Sequence, residues 1–333
     1  MYTRRRMKVT VPSIVAALAL AAPALANDTT AETAAGGLVL SRSDAIDMVS
    51  EDLFVSEKAV RVAYVFRNRA PRDMTVTVAF PMPDRQLLAE NYQDVAFPSG
   101  FRTLVEGRRV TMRVERKAML KGRDVTAALT ALKVPVSGEK IGAALDRLAK
   151  AEQQRLLRAG LAETDEYDAG RGMGKHLVPA WTVKEIWYWE QTFRAGRDLH
   201  VEHSYVPGTG GSVGTMLVDR KARTEPEGRR MIADYCLDGD FLAAVDRRAA
   251  ATRAEFAILP EKRIGYVLTT GANWRSPIGR FRLVVDKGAP DNLVSFCGNG
   301  IRKVSPTRFE MVMTNWRPTR DLKVLLIGPA ARE

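Results

Sequence analysis

Val60, Val62, Tyr64 and Phe66 alternate with Arg61, Ala63, Val65 and Arg67, and only an extended strand with one buried face satisfies a strict two-residue period. Met74, Val76, Val78 and Phe80 repeat it after Arg69-Ala70-Pro71-Arg72-Asp73, a stretch with turn chemistry that predicts an antiparallel hairpin. Pro81 and Pro83 end the second strand because proline cannot donate to a ladder. Val110, Met112 and Val114 alternate with Thr111, Arg113 and Glu115. Together these segments predict an antiparallel β-sandwich-like domain over residues 27–118.

The texture changes after residue 118. Asp124 is placed to cap a helix through Ala127, Ala128, Leu129 and Leu132, and a second helical run extends from Lys140 to Gly160 with Ile141, Leu145 and Leu148 on one stripe. Glu163, Asp165, Glu166 and Asp168, then Gly170, Gly172 and Gly174, read as a mobile connector without the spacing of a calcium loop. Residues 119–178 are therefore expected to form a helical insertion and connector. Strand patterning returns over 179–330, with Trp187, Trp189, Gln191 and Phe193 on one face and later strands at 264–270, 280–286, 293–297, 308–313 and 322–327. Asp240 is expected to cap a short helix through Phe241, Leu242 and Val245, and Gly208 to Gly214 to form a flexible loop. The predicted class is mainly β, with two antiparallel β-sandwich-like regions and a small helical insertion between them.

The N-terminus points to export. Arg4, Arg5, Arg6 and Lys8 precede the short apolar run Ile14 to Ala22, and Ala24-Leu25-Ala26 provides a small-x-small site for cleavage between Ala26 and Asn27. Residues 1–26 are read as a signal peptide on the general secretory route, with a twin-arginine signal as the alternative. Its removal would take four of the cations behind the net charge of +12 and leave +8. The expected localisation is the periplasm. No later stretch has the length of a membrane helix, and the remaining charge is read as serving solubility, with anionic envelope surfaces, rather than nucleic acid, as the alternative electrostatic partners. Cys236 and Cys297 are then expected to form a disulfide, a redox-active thiol being the alternative.

Candidate ligand contacts are fewer. Trp187, Trp189 and Trp274 with His203 form a possible ligand platform, and core packing is the competing fate of such aromatics. His200 and His203, three apart on a strand, face opposite ways and make a poor metal pair. Neither a metal nor a cofactor is expected. Arg61, Arg67, Arg113 and Arg116 could form a basic stripe for an anionic ligand or simply a solvated strand face.

Several segments, taken in order, resemble the bacterial family called domain of unknown function 4424. They are Asn27-Asp28-Thr29-Thr30-Ala31-Glu32, Glu51-Asp52-Leu53-Phe54, Tyr64-Val65-Phe66-Arg67-Asn68, Val78-Ala79-Phe80-Pro81-Met82-Pro83, Trp187-Tyr188-Trp189-Glu190-Gln191-Thr192-Phe193 and His203-Ser204-Tyr205-Val206-Pro207. Gly271-Ala272-Asn273-Trp274, Ser295-Phe296-Cys297 and Pro318-Thr319-Arg320-Asp321-Leu322 complete the set. The resemblance implies an exported bacterial protein of unknown activity and assigns no catalytic residue. The passage from Tyr64 to Pro83 is also similar to the β-sandwich domain of inter-alpha-trypsin inhibitor heavy chains. The sequence thus favours a non-enzymatic envelope module that binds another envelope protein or polymer. An enzyme acting on an envelope polymer and an envelope assembly factor are the alternatives.

Overall fold

The computed structural model describes residues 29–34, 37–87, 98–168, 170, 172–252 and 257–330. The expected signal peptide, with its cleavage site between Ala26 and Asn27, lies outside the described residues. The first part of the chain forms β1 (Thr29–Ala34), β2 (Gly37–Ser41), β3 (Ile46–Ser56), β4 (Val60–Asn68) and β5 (Met74–Pro81). It continues through β6 (Arg85–Gln86), β7 (Ser99–Val105), β8 (Arg108–Val110), β9 (Arg113–Leu120) and β10 (Arg123–Asp124). The insertion holds α1 (Thr126–Ala131), α2 (Ile141–Asp146), α3 (Lys150–Ala159), β11 (Ala162–Asp168) and β12 (Met173–Pro179). Next come β13 (Thr182–Phe193), β14 (Asp198–Val206), β15 (Thr209–Ser212), α4 (Pro226–Tyr235) and α5 (Gly239–Ala251). The chain then runs through β16 (Glu261–Tyr266), β17 (Ile278–Asp286), β18 (Leu293–Phe296), β19 (Arg302–Lys303), β20 (Arg308–Trp316) and β21 (Leu322–Ile327).

The protein is mainly β, but its sheets do not follow the expected division at 118 and 179. One sheet runs β10-β9-β13-β5-β1-β2, with β6 also on β13, and a second runs β19-β20-β17-β3-β4-β14-β7-β8. Both therefore alternate strands from the two halves, and β17 even pairs in parallel with β3, Leu283 opposite Leu53. A third sheet, β15-β16-β21-β18, contributes Ile264, Tyr266 and Val324 to the same core that holds Phe66, Phe80 and Trp189. The expected pairing of β4 with β5 is corrected for the same reason. Residues 69–73 carry the chain from the second sheet to the first, so the apolar faces of β4 and β5 meet across the core instead of lying side by side. Alternation fixes which face is buried but not which strand is the neighbour.

A bulge in β3 resets that alternation. Its pairing with β4 shifts register between Met48 and Ser50, so Ile46 and Met48 point inward before the bulge, and Glu51, Leu53 and Val55 after it. Gly279 makes room for the kink, because a Cβ there would sit 2.5 Å from the Val49 carbonyl oxygen. Glu51 is thereby buried in the core, where the Tyr266 hydroxyl donates to it at 3.4 Å and lies 2.8 Å from the Tyr64 hydroxyl. Asp47 links distant segments by accepting from Arg69 at 2.7 Å, Arg275 at 2.7 and 2.9 Å, and Ser276 at 2.9 Å. Burial alone would raise its carboxyl, but these hydrogen bonds hold it below its ordinary value.

Two smaller cores flank the first. In the insertion, Leu129, Ile141, Leu145, Leu156 and Val178 pack with Trp181, just before β13, and with Val183 of the first sheet. The run expected from Lys140 to Gly160 is broken between α2 and α3, and Gly160 ends α3 with φ 67, the left-handed conformation that glycine adopts without a Cβ penalty. The expected mobile connector is instead the antiparallel hairpin β11–β12, turned by Asp168, whose carboxylate accepts from the Gly170 and Gly172 amides. The third core lies between the outer side of the third sheet and helices α4 and α5, through Leu325, Ile327, Met231, Phe241 and Val245. Asp238, not Asp240, caps α5, by accepting from the Phe241 amide at 2.7 Å. The expected strand at 264–270 stops at Tyr266, and Thr269–Asn273 form a 3-10 turn. Cys236, just past α4, is joined to Cys297, just past β18, with Cα atoms 5.1 Å apart. Among the described residues no helix is long and apolar enough to cross a membrane.

Candidate functional site

The expected platform is taken apart by packing. Trp274 and Trp189 are buried, and Trp187 stacks on Phe101 with ring centroids 4.8 Å apart. His203 is 2% exposed, shares a hydrogen bond of 2.8 Å with the Thr103 hydroxyl through Nδ1, and touches Tyr64, Phe80, Phe101 and Trp189. These side chains do come together, but largely as the interior of the sandwich, with Trp187 partly exposed beneath Arg116 at 5.9 Å. His200 lies on the opposite, exposed face of β14 beside Glu106, and His176 is held by Asp146 at 2.7 Å. No group of three or more His, Cys, Asp or Glu among the described residues is arranged to hold a metal.

The expected basic stripe is also divided. Arg61 and Arg67 belong to the second sheet, Arg113 and Arg116 to the first. Arg67 is bound to Asp198 at 2.5 and 2.6 Å and Arg116 to Glu185 at 2.6 Å. Two of the four cations are thus neutralised locally.

Two larger cavities lined by described residues lie elsewhere. Of about 580 and about 760 Å³, they share Asp84, Gln86 and Thr182 in their linings. The first is walled by Gly208, Thr209 and Gly210 of the β15 segment, with Arg263, Tyr235 and Lys323. The second reaches the helical insertion through Lys121, Gly160 and Glu163. The proline-ended β5 makes this trough possible. Pro83 lies 3.4 Å from where a Gly265 Cβ would be, so β16 packs against the turn, and β6 then rejoins β13 with Gln86 opposite Thr182.

The charged groups around the trough are close to electrical balance. Lys184 Nζ lies 3.8 Å from Asp84 and Lys323 Nζ 2.8 Å from Asp234, while Arg263 pairs with the buried Glu261. Arg85 faces Glu185 at 3.5 Å, and Glu185 also accepts from Trp187 Nε1 at 2.8 Å. Burial pushes the Tyr235 phenol up to about 12, so it enters the cavity as a hydroxyl donor at neutral pH. Asp84 meets water from the trough side, with 36% of its side chain exposed, and is surrounded by protein elsewhere. That partial desolvation raises its carboxyl above the ordinary 3.8 against the opposing charges of Lys184 and Arg85.

The shift has a sign that can be measured. An acid raised by folding adds stability below its unfolded pKa and loses it as pH rises through the folded one, so ionised Asp84 costs stability at neutral pH. Asp84→Asn is expected to raise the urea midpoint at pH 7 by an amount worth less than about 1 kcal/mol, and to leave it unchanged below about pH 3.5. A lower midpoint at pH 7 would mean that the Lys184 pair outweighs desolvation.

A family model described as "Domain of unknown function (DUF4424)" matches residues 26–325. The crystal structure of a "putative nutrient binding protein" from Legionella pneumophila subsp. pneumophila str. Philadelphia 1 is 15% identical, with TM-score 0.43, over 92% of this chain and 72% of that one. The M1 zinc metallopeptidase from Deinococcus radiodurans is 9% identical, with TM-score 0.21, over 86% of this chain and 43% of that one. Likenesses this distant carry no argument about activity. No curated protein matches the sequence. The likeness of residues 64–83 to inter-alpha-trypsin inhibitor heavy chains gains no support from these matches.

Proposed function

This chain belongs to the DUF4424 family, and we propose that it is an exported envelope module that binds an extended polypeptide segment of another envelope protein along the Asp84 trough. The observation that carries the reading is the edge of β15. Among the described residues this strand ends its sheet and pairs only with β16, and it lines the trough with Thr209 and Gly210. Its Gly210 and Gly211 present no side chain to block an added strand, unlike the charged or proline-guarded edges that folded proteins usually display. Main-chain hydrogen bonds to such an edge give affinity with little demand on sequence, and pockets beside it read alternate side chains. The near-balanced charges suit a polar peptide better than a polyanion. The signal-like N-terminus and the disulfide support an extracytoplasmic setting.

A second reading, an enzyme acting on an envelope polymer, is favoured by Asp84, a raised carboxyl in a cleft. His203 cannot assist it, since its ring is buried in the sandwich. A photo-crosslinker at Gln86 in the native envelope separates the two. The binding reading predicts a polypeptide adduct that the exposed outer-face position Val312 does not yield. A glycan adduct, or the same products from both positions, would overturn it.

A further inference from the structure

We propose a second binding site, on the outer face of the second sheet, for a tetrahedral oxyanion of the phosphate type, held by Arg61, Ser204 and Arg102. Register places these residues in one row across four strands. Phe54 of β3 is opposite Arg61 of β4, Arg61 opposite Ser204 of β14, and Ser204 opposite Arg102 of β7. Adjacent strands lie about 4.8 Å apart, so the two arginines leave the sheet about 10 Å apart with the serine midway. Guanidinium arms of that length can converge above the hydroxyl. Two forks and a hydroxyl offer donors from three directions, which suits a tetrahedral anion.

The surroundings set this pair apart from four other cations of the face, while Arg280 and Arg109, also on it, share the lack of a carboxylate partner among the described residues. Arg67, Arg282, Arg302 and Arg308 are each bound to a carboxylate, of Asp198, Asp52 and Glu310, Glu310, and Asp286 respectively. Arg61 and Arg102 have no carboxylate partner among the described residues. Arg61 instead lies over the Phe54 ring at 4.4 Å, on the β3 side of its strand, and a change of rotamer brings the guanidinium toward Ser204 on the other side. Ala63, in the next row between Asp52 and Glu202, leaves a depression. A cavity of about 410 Å³ there is lined by Phe54, Arg61, Ala63, Arg102, Leu104 and Ser204, among others. Asp52 is engaged by Arg282 at 3.1 Å. Glu202, beside the row, favours an oxyanion whose carrier bears a hydroxyl or ammonium group.

The anion could be a free phosphate compound or a lipid headgroup, and two probes distinguish them. Arginine side-chain NMR signals of the full-length protein are followed at low ionic strength with inorganic phosphate, and then with vesicles containing phosphatidylglycerol. Saturable shifts confined to Arg61 and Arg102 with phosphate alone assign a soluble ligand, and with vesicles alone a headgroup. Arg61→Gln with Arg102→Gln should weaken the positive response by at least about tenfold, and Ser204→Ala should weaken it less. These side chains are at the surface, so the variants should retain the wild-type fold, checked by their amide spectra. Equal shifts at Arg67, Arg282, Arg302 and Arg308, no saturation with either probe, or a double variant that binds like wild type would overturn the site.

Discussion

Trp274→Ala is expected to lower the unfolding free energy by about 3–5 kcal/mol, the range for removing a large aromatic from a close-packed core. Trp274 is fully buried, with its ring 4.6 Å from Phe66 and 6.3 Å from Phe193. It also precedes Arg275, which binds Asp47, so the cavity would open where the late part of the chain is fastened to β3. Denaturant unfolding of Trp274→Ala and of the milder Trp274→Phe checks this, the second variant covering the case in which the first does not fold. A ligand-platform role would instead leave stability within about 0.5 kcal/mol of wild type, as surface substitutions do.

Loss of the disulfide should be comparably costly. Cys236 and Cys297 close 61 positions of chain, which the loop-entropy model values at about 4 kcal/mol. The bond fastens the end of α4 to the end of β18, and the Ser295 hydroxyl reinforces it by donating to the Tyr235 carbonyl at 2.8 Å. Cys236→Ala with Cys297→Ala is therefore expected to lower the urea midpoint strongly and to loosen α4 and α5 first, as hydrogen exchange would show. A change below about 1 kcal/mol would mean that the third core holds these helices without the crosslink.

Much of the strand pattern was legible because burial imposes a two-residue period on any half-buried strand. The faces of β4, β5 and β13 follow from Val60 to Phe66, Met74 to Phe80, and Trp187 to Phe193 alone. Partnership was not legible, because nothing in β4 states that its neighbours are β3 and β14 rather than β5. That ambiguity turned one interleaved body into two expected domains. Helix α4 was missed, although Glu225-Pro226 followed by the Met231 and Ile232 positions carries a helix-start signal, with proline at the first turn. The Gly208 to Gly214 segment reads as a loop because glycine weakens strand signals. Yet Gly211 is where the β16 backbone comes closest, with the Glu261 carbonyl oxygen 2.3 Å from a would-be Cβ, and this is what makes an edge strand possible there.

The candidate site was the least legible part for the same reason. Asp84, Gln86, Lys121, Thr209 and Arg263 are spread over the chain without a motif, and only the packing of β16 against Pro83 and the docking of the insertion bring them around one trough. The residues with conspicuous chemistry, the tryptophans and His203, were spent on the core. An available signal was the pair of prolines ending β5, which forces a new strand start at Arg85 and so exposes an end of the first sheet.

The central claim is that one extended polypeptide lies along the whole trough, and paired in-cell crosslinking tests it most directly. Crosslinkers placed singly at Thr209, in the first cavity, and at Lys121, in the second, should capture the same partner protein at sites displaced along one extended segment. Different partners from the two positions, or none from either, would contradict it.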